Sequence, residues 1–123
     1  WRPETKTSAT LGKLQINKEL EDGLLGITLD PAFARNGWMY LFYSEPETHR
    51  NAEGKKIGTN LVSRFTLTGE QLDLASEKVL LRIPTQREDC CHSGGSLAFD
   101  ANGKRILTST MPRVERPREV AVG

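Results

Sequence analysis

The chain has 123 residues, enough for one domain that buries about two-thirds of the surface its unfolded form exposes. Its formal net charge of +1 gives no electrostatic basis for binding nucleic acid or an anionic membrane surface, and no apolar run approaches the ~20 residues of a membrane span. The apolar fraction of 37% and the aromatic fraction of 7% are low for a compact domain, so we expect some packing partners outside the chain.

The apolar residues follow the short period of β-strands, in runs that turn residues separate. The predicted strands are residues 24–30, 38–43, 61–67, 78–83, 96–99 and 105–109. The fourth run is expected to stop at Pro84. No run keeps the i, i+3, i+4, i+7 spacing of a helix, and only residues 32–36 or 70–77 could form a helical turn. The predicted fold class is therefore all-β.

One strand–turn–strand pattern occurs twice. Residues 26–30 (GITLD) precede an Asn-Gly pair and a strand, and residues 96–100 (SLAFD) precede a second Asn-Gly pair and strand. The copies lie about 66 to 70 positions apart, and the unit that contains the first copy would hold four strands, the content of one β-propeller blade. The alternative is a chance recurrence of common hairpin signals.

Two polar segments carry no strand signal. Residues 44–60 are predicted to be a long solvated loop, with His49 exposed in it. Residues 111–123 contain three arginines and two prolines without a clear period, and we expect a tail, a linker or a non-native end there. The predicted division is a partial propeller over residues 1–110 and a divergent tail over residues 111–123. The first residues show no charged-then-apolar leader pattern.

Residues 88–96 (EDCCHSGGS) are the segment best suited to chemistry. His92 could act as a general base, because an imidazole with a pKa of about 6.5 is partly neutral near pH 7. The small residues that follow it, including Gly94, would let a backbone or a flat ligand approach closely. The structural alternative is a histidine whose ring hydrogen-bonds a turn.

Cys90 and Cys91 leave the redox compartment open. Adjacent residues in a strand point to opposite faces, so the two thiols are poorly placed to bridge each other. The Cys-x-x-Cys-His spacing of c-type haem attachment is missing. A metal site at Cys90, Cys91 and His92 is disfavoured, because three consecutive residues do not easily converge on one ion.

An acidic cluster precedes the first predicted strand, at Glu19, Glu21 and Asp22. In a propeller, the loops that lead into the inner strands line the mouth of the central channel, so Glu21 could face the same cavity as His92. Spacing alone favours a solvated acidic turn.

Residues 21–33 (EDGLLGITLDPAF), 36–40 (NGWMY), 63–65 (SRF), 76–81 (SEKVLL) and 92–99 (HSGGSLAF) form an ordered series of motifs. The series resembles the glucose/sorbosone dehydrogenase family: the first two motifs resemble its opening, and the others follow in the family's order. The resemblance covers about residues 1–103. It implies a six-bladed propeller, of which this chain would hold one and a half to two blades. It also implies a periplasmic or secreted quinoprotein that oxidises the C1 hydroxyl of an aldose or related sugar, with pyrroloquinoline quinone (PQQ) as hydride acceptor.

The same resemblance implies roles for individual residues and partners. His92 would take the proton from the sugar C1 hydroxyl. Glu21 and Gly94 would lie at the substrate or the cofactor, although the family has glutamine at the position of Glu21. Cys91 stands where an acidic residue often precedes the histidine. The doubled cysteine before the histidine is similar to the pattern of a bacterial branch of the family. Members of that branch are often joined to cytochrome or other extracellular modules. The ligands for Ca²⁺ and the basic residues that clamp PQQ are expected on later blades, outside this chain.

The sequence departs from the family pattern after Gly103. One hypothesis is a reading frame truncated or shifted near residues 104–111, which would leave a non-native tail. The isolated chain, as an incomplete part of the propeller, is expected to be inactive. Two rival functions stay open at this point. One is a non-catalytic propeller module that binds carbohydrate or a protein partner, and the other is a gene remnant without activity.

Overall fold

The computed structural model describes residues 2–19, 22–88, 96–103, 105–108 and 118–121. In these residues the chain forms eight strands and one helical turn, which confirms the all-β prediction. The strands are β1 (Leu24–Leu29), β2 (Trp38–Ser44), β3 (His49–Arg50), β4 (Lys56–Thr68), β5 (Gln71–Gln86), β6 (Leu97–Phe99), β7 (Arg105–Thr108) and β8 (Arg118–Ala121), and the turn is α1 (Phe33–Asn36). No helix in the described ranges is long and apolar enough to cross a membrane.

The first sheet is an antiparallel meander. β1, β2, β4 and β5 pair in that order. β3 pairs with Lys56 and Ile57 at the start of β4, so it extends the edge of β4 that β2 occupies. Gly69, at a φ of 61°, makes the tight turn from β4 to β5, where a side chain would be strained. Four long antiparallel strands in this order are the content of one propeller blade.

The second sheet begins beside β1. β6, β7 and β8 pair antiparallel in that order, and β6 lies next to β1. A methyl group built on Gly103, in the turn after β6, would lie 3.2 Å from Cγ of Pro31, in the turn after β1. The turns that follow the two strands therefore adjoin, so β1 and β6 run side by side in the same direction. Neighbouring blades of a propeller have this relation.

The core lies on both faces of β2. Its residues alternate between the two faces, with Met39, Leu41 and Tyr43 in one apolar cluster and Tyr40 and Phe42 in the other. Leu14 and Ile16, from the segment before β1, pack on the first cluster. Leu97 and Phe99 of β6 pack on the second, so the two sheets share one of the two cores.

One face of β1 is open to solvent. Ile27 and Leu29 are 57% and 49% exposed, although they lie opposite Leu41 and Met39 in the register of the sheet. Leu24, at the start of the strand, is 54% exposed. This open apolar surface accords with the low apolar content of the sequence, which led us to expect packing partners outside the chain.

The limits of the fourth predicted strand are wrong. β5 begins at Gln71 and continues through Pro84 to Gln86, so residues 70–77 do not form a helical turn. Leu72 pairs with Leu67 directly across the turn at Gly69, which draws this polar stretch into the sheet. Proline is tolerated because, among the described strands, β5 pairs only with β4 and has no further strand to donate to. The helical turn expected within residues 32–36 does form, as α1.

The segment predicted to be one long loop, residues 44–60, is partly strand. Asn51 closes a short hairpin between β3 and β4, since its side-chain oxygen accepts the backbone N–H groups of Glu53 and Lys55 at 2.9 and 3.0 Å. His49 is exposed, as expected. β8 lies in the stretch predicted to be a tail and pairs with β7. The domain boundary after residue 110 stays a prediction.

Candidate functional site

The residues to which the sequence assigns chemistry lie outside the described part of the chain. These are Glu21, His92 and Gly94, and the same holds for Cys90 and Cys91. The described residues on either side nevertheless fix how the chain approaches them. Asp22 directly follows Glu21, and Arg87 and Glu88 lead towards His92.

Both candidate segments lead into neighbouring strands. Glu21 lies three residues before β1, and His92 lies five residues before β6. Because β1 and β6 run side by side in the same direction, the segments that lead into them arrive at the same end of the two sheets. That Glu21 and His92 face one shared opening stays a prediction, because both residues lie outside the described part of the chain.

An ion pair joins the described ends of the two segments. Nε of Arg87 lies 3.1 Å from Oδ2 of Asp22, and the two side chains are 2% and 12% exposed. Sixty-five positions separate these residues in the sequence, so the contact depends on the fold. Its burial removes much of the screening that weakens ion pairs at a surface.

The guanidinium of Arg87 also holds the loop that follows β2. Its Nη1 donates to the carbonyl oxygen of Glu47 at 2.7 Å and to the hydroxyl of Thr48 at 2.8 Å. Its Nη2 donates to the carbonyl oxygen of Glu45 at 2.9 Å. A buried charge is costly without partners, and these acceptors together with Asp22 provide them.

Asp22 is likewise fixed by its neighbours. The Asn17 side-chain amide donates to Oδ2 of Asp22 at 2.7 Å, and the backbone N–H of Asn17 donates to the carbonyl oxygen of Ser44 at 3.0 Å. The backbone N–H of Ser44 in turn donates to the carbonyl oxygen of Gly23 at 2.9 Å. Asp22 is therefore not the solvated acidic residue that spacing alone favoured, whereas Glu19 is exposed.

Sequence reasoning missed Arg87. It lies in a polar run between Gln86 and Glu88, where neither hydrophobic period nor turn chemistry marks a buried position. The available signal was indirect. Gly58, the third residue of β4, lies against the guanidinium, and a Cβ there would overlap it. A glycine inside a strand often marks such a close approach.

A second polar cluster closes the opposite end of β1. The hydroxyl of Tyr40 donates to Oδ2 of Asp30 at 2.7 Å, and Oδ1 accepts the N–H of Ala32 at 2.8 Å and the side-chain amide of Asn36 at 3.0 Å. Burial by itself raises the pKa of Asp30, but these hydrogen bonds outweigh it, so the pKa lies below its ordinary value. This network explains the Asp and Asn of the repeated motif as turn-forming residues.

The described residues contain no cluster of metal ligands. Among them, no three histidine, cysteine, aspartate or glutamate side chains are grouped so as to hold a metal ion. Arg87 is buried against Asp22 and three loop oxygens, so it does not fit as a ligand for the carboxylates of a quinone. Gly94, which the resemblance would place at the cofactor or substrate, lies outside the described residues.

A basic groove opens beside the chain that leaves β5. Arg50, Lys55 and Lys56 line it, together with Gln86 and Glu88. The carboxylate of Glu88 accepts the backbone N–H of Lys56, which ties the hairpin of β3 and β4 to the end of β5. The groove thus combines positive charge with groups that form hydrogen bonds, beside the end of β5.

A four-stranded antiparallel blade with a second sheet that starts beside its first strand defines a partial β-propeller. The family model for Glucose / Sorbosone dehydrogenase matches residues 1–121, nearly the whole chain. The chain therefore belongs to the glucose/sorbosone dehydrogenase family, a family of sugar dehydrogenase-like β-propellers. No curated protein matches it.

Proposed function

We propose that the chain is part of a quinoprotein sugar dehydrogenase, which oxidises the C1 hydroxyl of an aldose or related sugar. Membership of the family supports this class of activity. The structural observation that carries the proposal is the buried contact between Asp22 and Arg87, because it joins the two segments on which the family-like residues lie.

In this proposal His92 is the general base. Its neutral imidazole would take the proton of the sugar hydroxyl, while Glu21 and Gly94 would contact the substrate or the cofactor. PQQ, when bound, supplies the hydride acceptor. By resemblance to the family, the proposal assigns the ligands of Ca²⁺ and the basic residues that clamp PQQ to parts of the protein outside this chain. We further propose a periplasmic or secreted location, and a cytochrome or another protein as electron acceptor.

The test uses the full-length protein that contains this chain, loaded with PQQ and Ca²⁺. Dye reduction with an aldose should be observed, and His92→Ala should lower kcat by about 100-fold or more, as the loss of a general base does. His49→Ala is the matched control, because His49 is exposed and is the other of the two histidines of the chain. Unchanged turnover in His92→Ala would remove this residue from the mechanism.

The second candidate is a non-catalytic propeller module that binds carbohydrate or a protein partner. The basic groove at Arg50, Lys55 and Lys56 favours it, since such a surface can bind an acidic partner without any catalysis. The two functions differ in their need for the cofactor. A full-length protein that shows no affinity for PQQ, but binds an acidic oligosaccharide or protein through these residues, would support the module.

A further inference from the structure

Arg87 lies where the chain leaves the first sheet towards His92. We propose that Arg87 is a positioning residue, which together with Asp22 fixes the direction in which the His92 segment departs; this inference rests on the proposed function. The guanidinium does not contact the reacting atoms in this proposal. It acts by holding the backbone on which the base is carried.

The backbone is held on both sides of Arg87. The N–H of Arg87 donates to the carbonyl oxygen of Lys56 at 2.9 Å, and the N–H of Glu88 donates to the side-chain oxygen of Gln86 at 2.9 Å. The Glu88 carboxylate accepts the N–H of Lys56. The course of the chain is thus set up to a point four residues before His92.

The forked shape of arginine suits this task. Nε faces Asp22, whereas Nη1 and Nη2 reach the carbonyl oxygens of Glu47 and Glu45. One side chain thereby connects the segment before β1, the loop after β2 and the end of β5. Lysine carries the same charge on a single nitrogen and cannot reach all three segments at once.

The energetics of buried ion pairs are consistent with a role beyond stability. Buried ion pairs cost much of their attraction in desolvation, and their replacement by apolar residues is often neutral or stabilising. The close fit of Gly58 against the guanidinium also shows that β4 provides room for this particular group. Positioning of the adjacent segment gives the buried pair a function that an apolar pair would lack.

The kinetic test compares Arg87→Lys and Asp22→Asn with the unchanged full-length protein, loaded with PQQ and Ca²⁺. Turnover is normalised to bound PQQ, so that a smaller amount of folded or PQQ-loaded protein does not appear as a lower kcat. We expect kcat to fall by about 10- to 100-fold with little change in the KM for sugar, because a misplaced base affects the reaction more than binding. Arg82→Lys, at an exposed position of β5, is the matched control and should leave kcat unchanged.

A second readout does not depend on activity. The imidazole resonances of His92 and His49, assigned by their loss in the corresponding alanine variants, are followed by NMR as a function of pH. In Arg87→Lys and Asp22→Asn the chemical shift and titration of His92 should change, while those of His49 should not. Folded variants with an unaltered His92 resonance would overturn the positioning role. If His92→Ala remains active while the resonance does shift, the proposed function fails and the positioning role stands.

Discussion

The ring of Phe99 meets the ring of Tyr40 edge to face, with the two centroids 5.2 Å apart and the planes at 72°. Tyr40 is fully buried in β2 of the first sheet, whereas Phe99 is half-buried at the end of β6 in the second. Aromatic pairs of this geometry add stability beyond the area they bury. The contact therefore links the two sheets as well as filling the core between them.

Phe99→Ala should lower the free energy of unfolding by about 2–3 kcal/mol, because it removes both apolar burial and the ring contact. Phe99→Leu should cost less, about 1 kcal/mol, since it keeps most of the apolar volume. Urea denaturation of the purified protein measures both. Leu74→Ala, at an exposed position of β5, is the control and should stay within about 0.5 kcal/mol. Equal losses in Phe99→Ala and Leu74→Ala would contradict a shared core.

Asp30 should make stability depend on pH. Its folded-state pKa lies below the unfolded value of about 3.9, so the ionised carboxylate stabilises the fold above that pH, and the contribution is lost as the pH falls through the folded pKa. Asp30→Asn should therefore cost about 1–2 kcal/mol near neutral pH and progressively less in acid. Glu53→Gln, which removes a carboxylate at an exposed position, is the matched control. A constant cost at all pH values would refute this account.

The two tyrosines of the chain should resist ionisation. Burial raises the pKa of Tyr40 and of Tyr43, and their hydrogen bonds to Asp30 and Glu77 raise both further. Because the folded-state pKa is the higher one, each contributes stability below about pH 10 that is lost as the pH rises through the folded value.

The tyrosinate absorption band reports this directly. In a titration of the folded protein, compared with Tyr40→Phe and Tyr43→Phe, neither residue should contribute to the band near pH 10. Both should titrate there after unfolding in guanidinium. A normal titration of either residue in the folded state would show that its hydroxyl is not buried as described.

Gly58 and Arg87 should show strong energetic coupling. A methyl group at Gly58 would overlap the guanidinium, so Gly58→Ala should displace Arg87 from its acceptors and destabilise the protein by about 3–5 kcal/mol. In an Arg87→Ala background the methyl group has room, and the same substitution should cost much less. The double-mutant cycle measures this difference. Additive losses would mean that Gly58 does not accommodate the arginine.

The sequence predicted the strands that form clear apolar runs between turn residues. β1 and β2 agree with it to within a residue, because Gly23, Pro31 and the Asn36-Gly37 pair mark their limits in the chain itself. β3 was not predicted, and β5 was predicted only in part, for a different reason. Their polar residues become strand through pairing with β4, a tertiary effect that overrides local preference.

The site was predictable only as two separate segments. The resemblance to the family pointed to Glu21 and His92. The contact between Asp22 and Arg87 joins residues that lie before β1 and after β5, so no local pattern in the sequence indicates it. Burial of an arginine depends on acceptors that the fold assembles from distant loops. Glu47 and Thr48, for example, lie in a stretch that reads as an ordinary solvated loop.

Pro84 has a consequence for how this protein behaves at high concentration. At Pro84 the edge of β5 that is unpaired among the described strands has no backbone N–H to donate to a strand of another molecule. The exposed side chains of Lys78 and Arg82 add positive charge to the same strand. Pairing of two molecules along this edge would lack one backbone hydrogen bond and would bring positively charged side chains together. Crystallisation or fibril growth of this protein should therefore proceed through other surfaces.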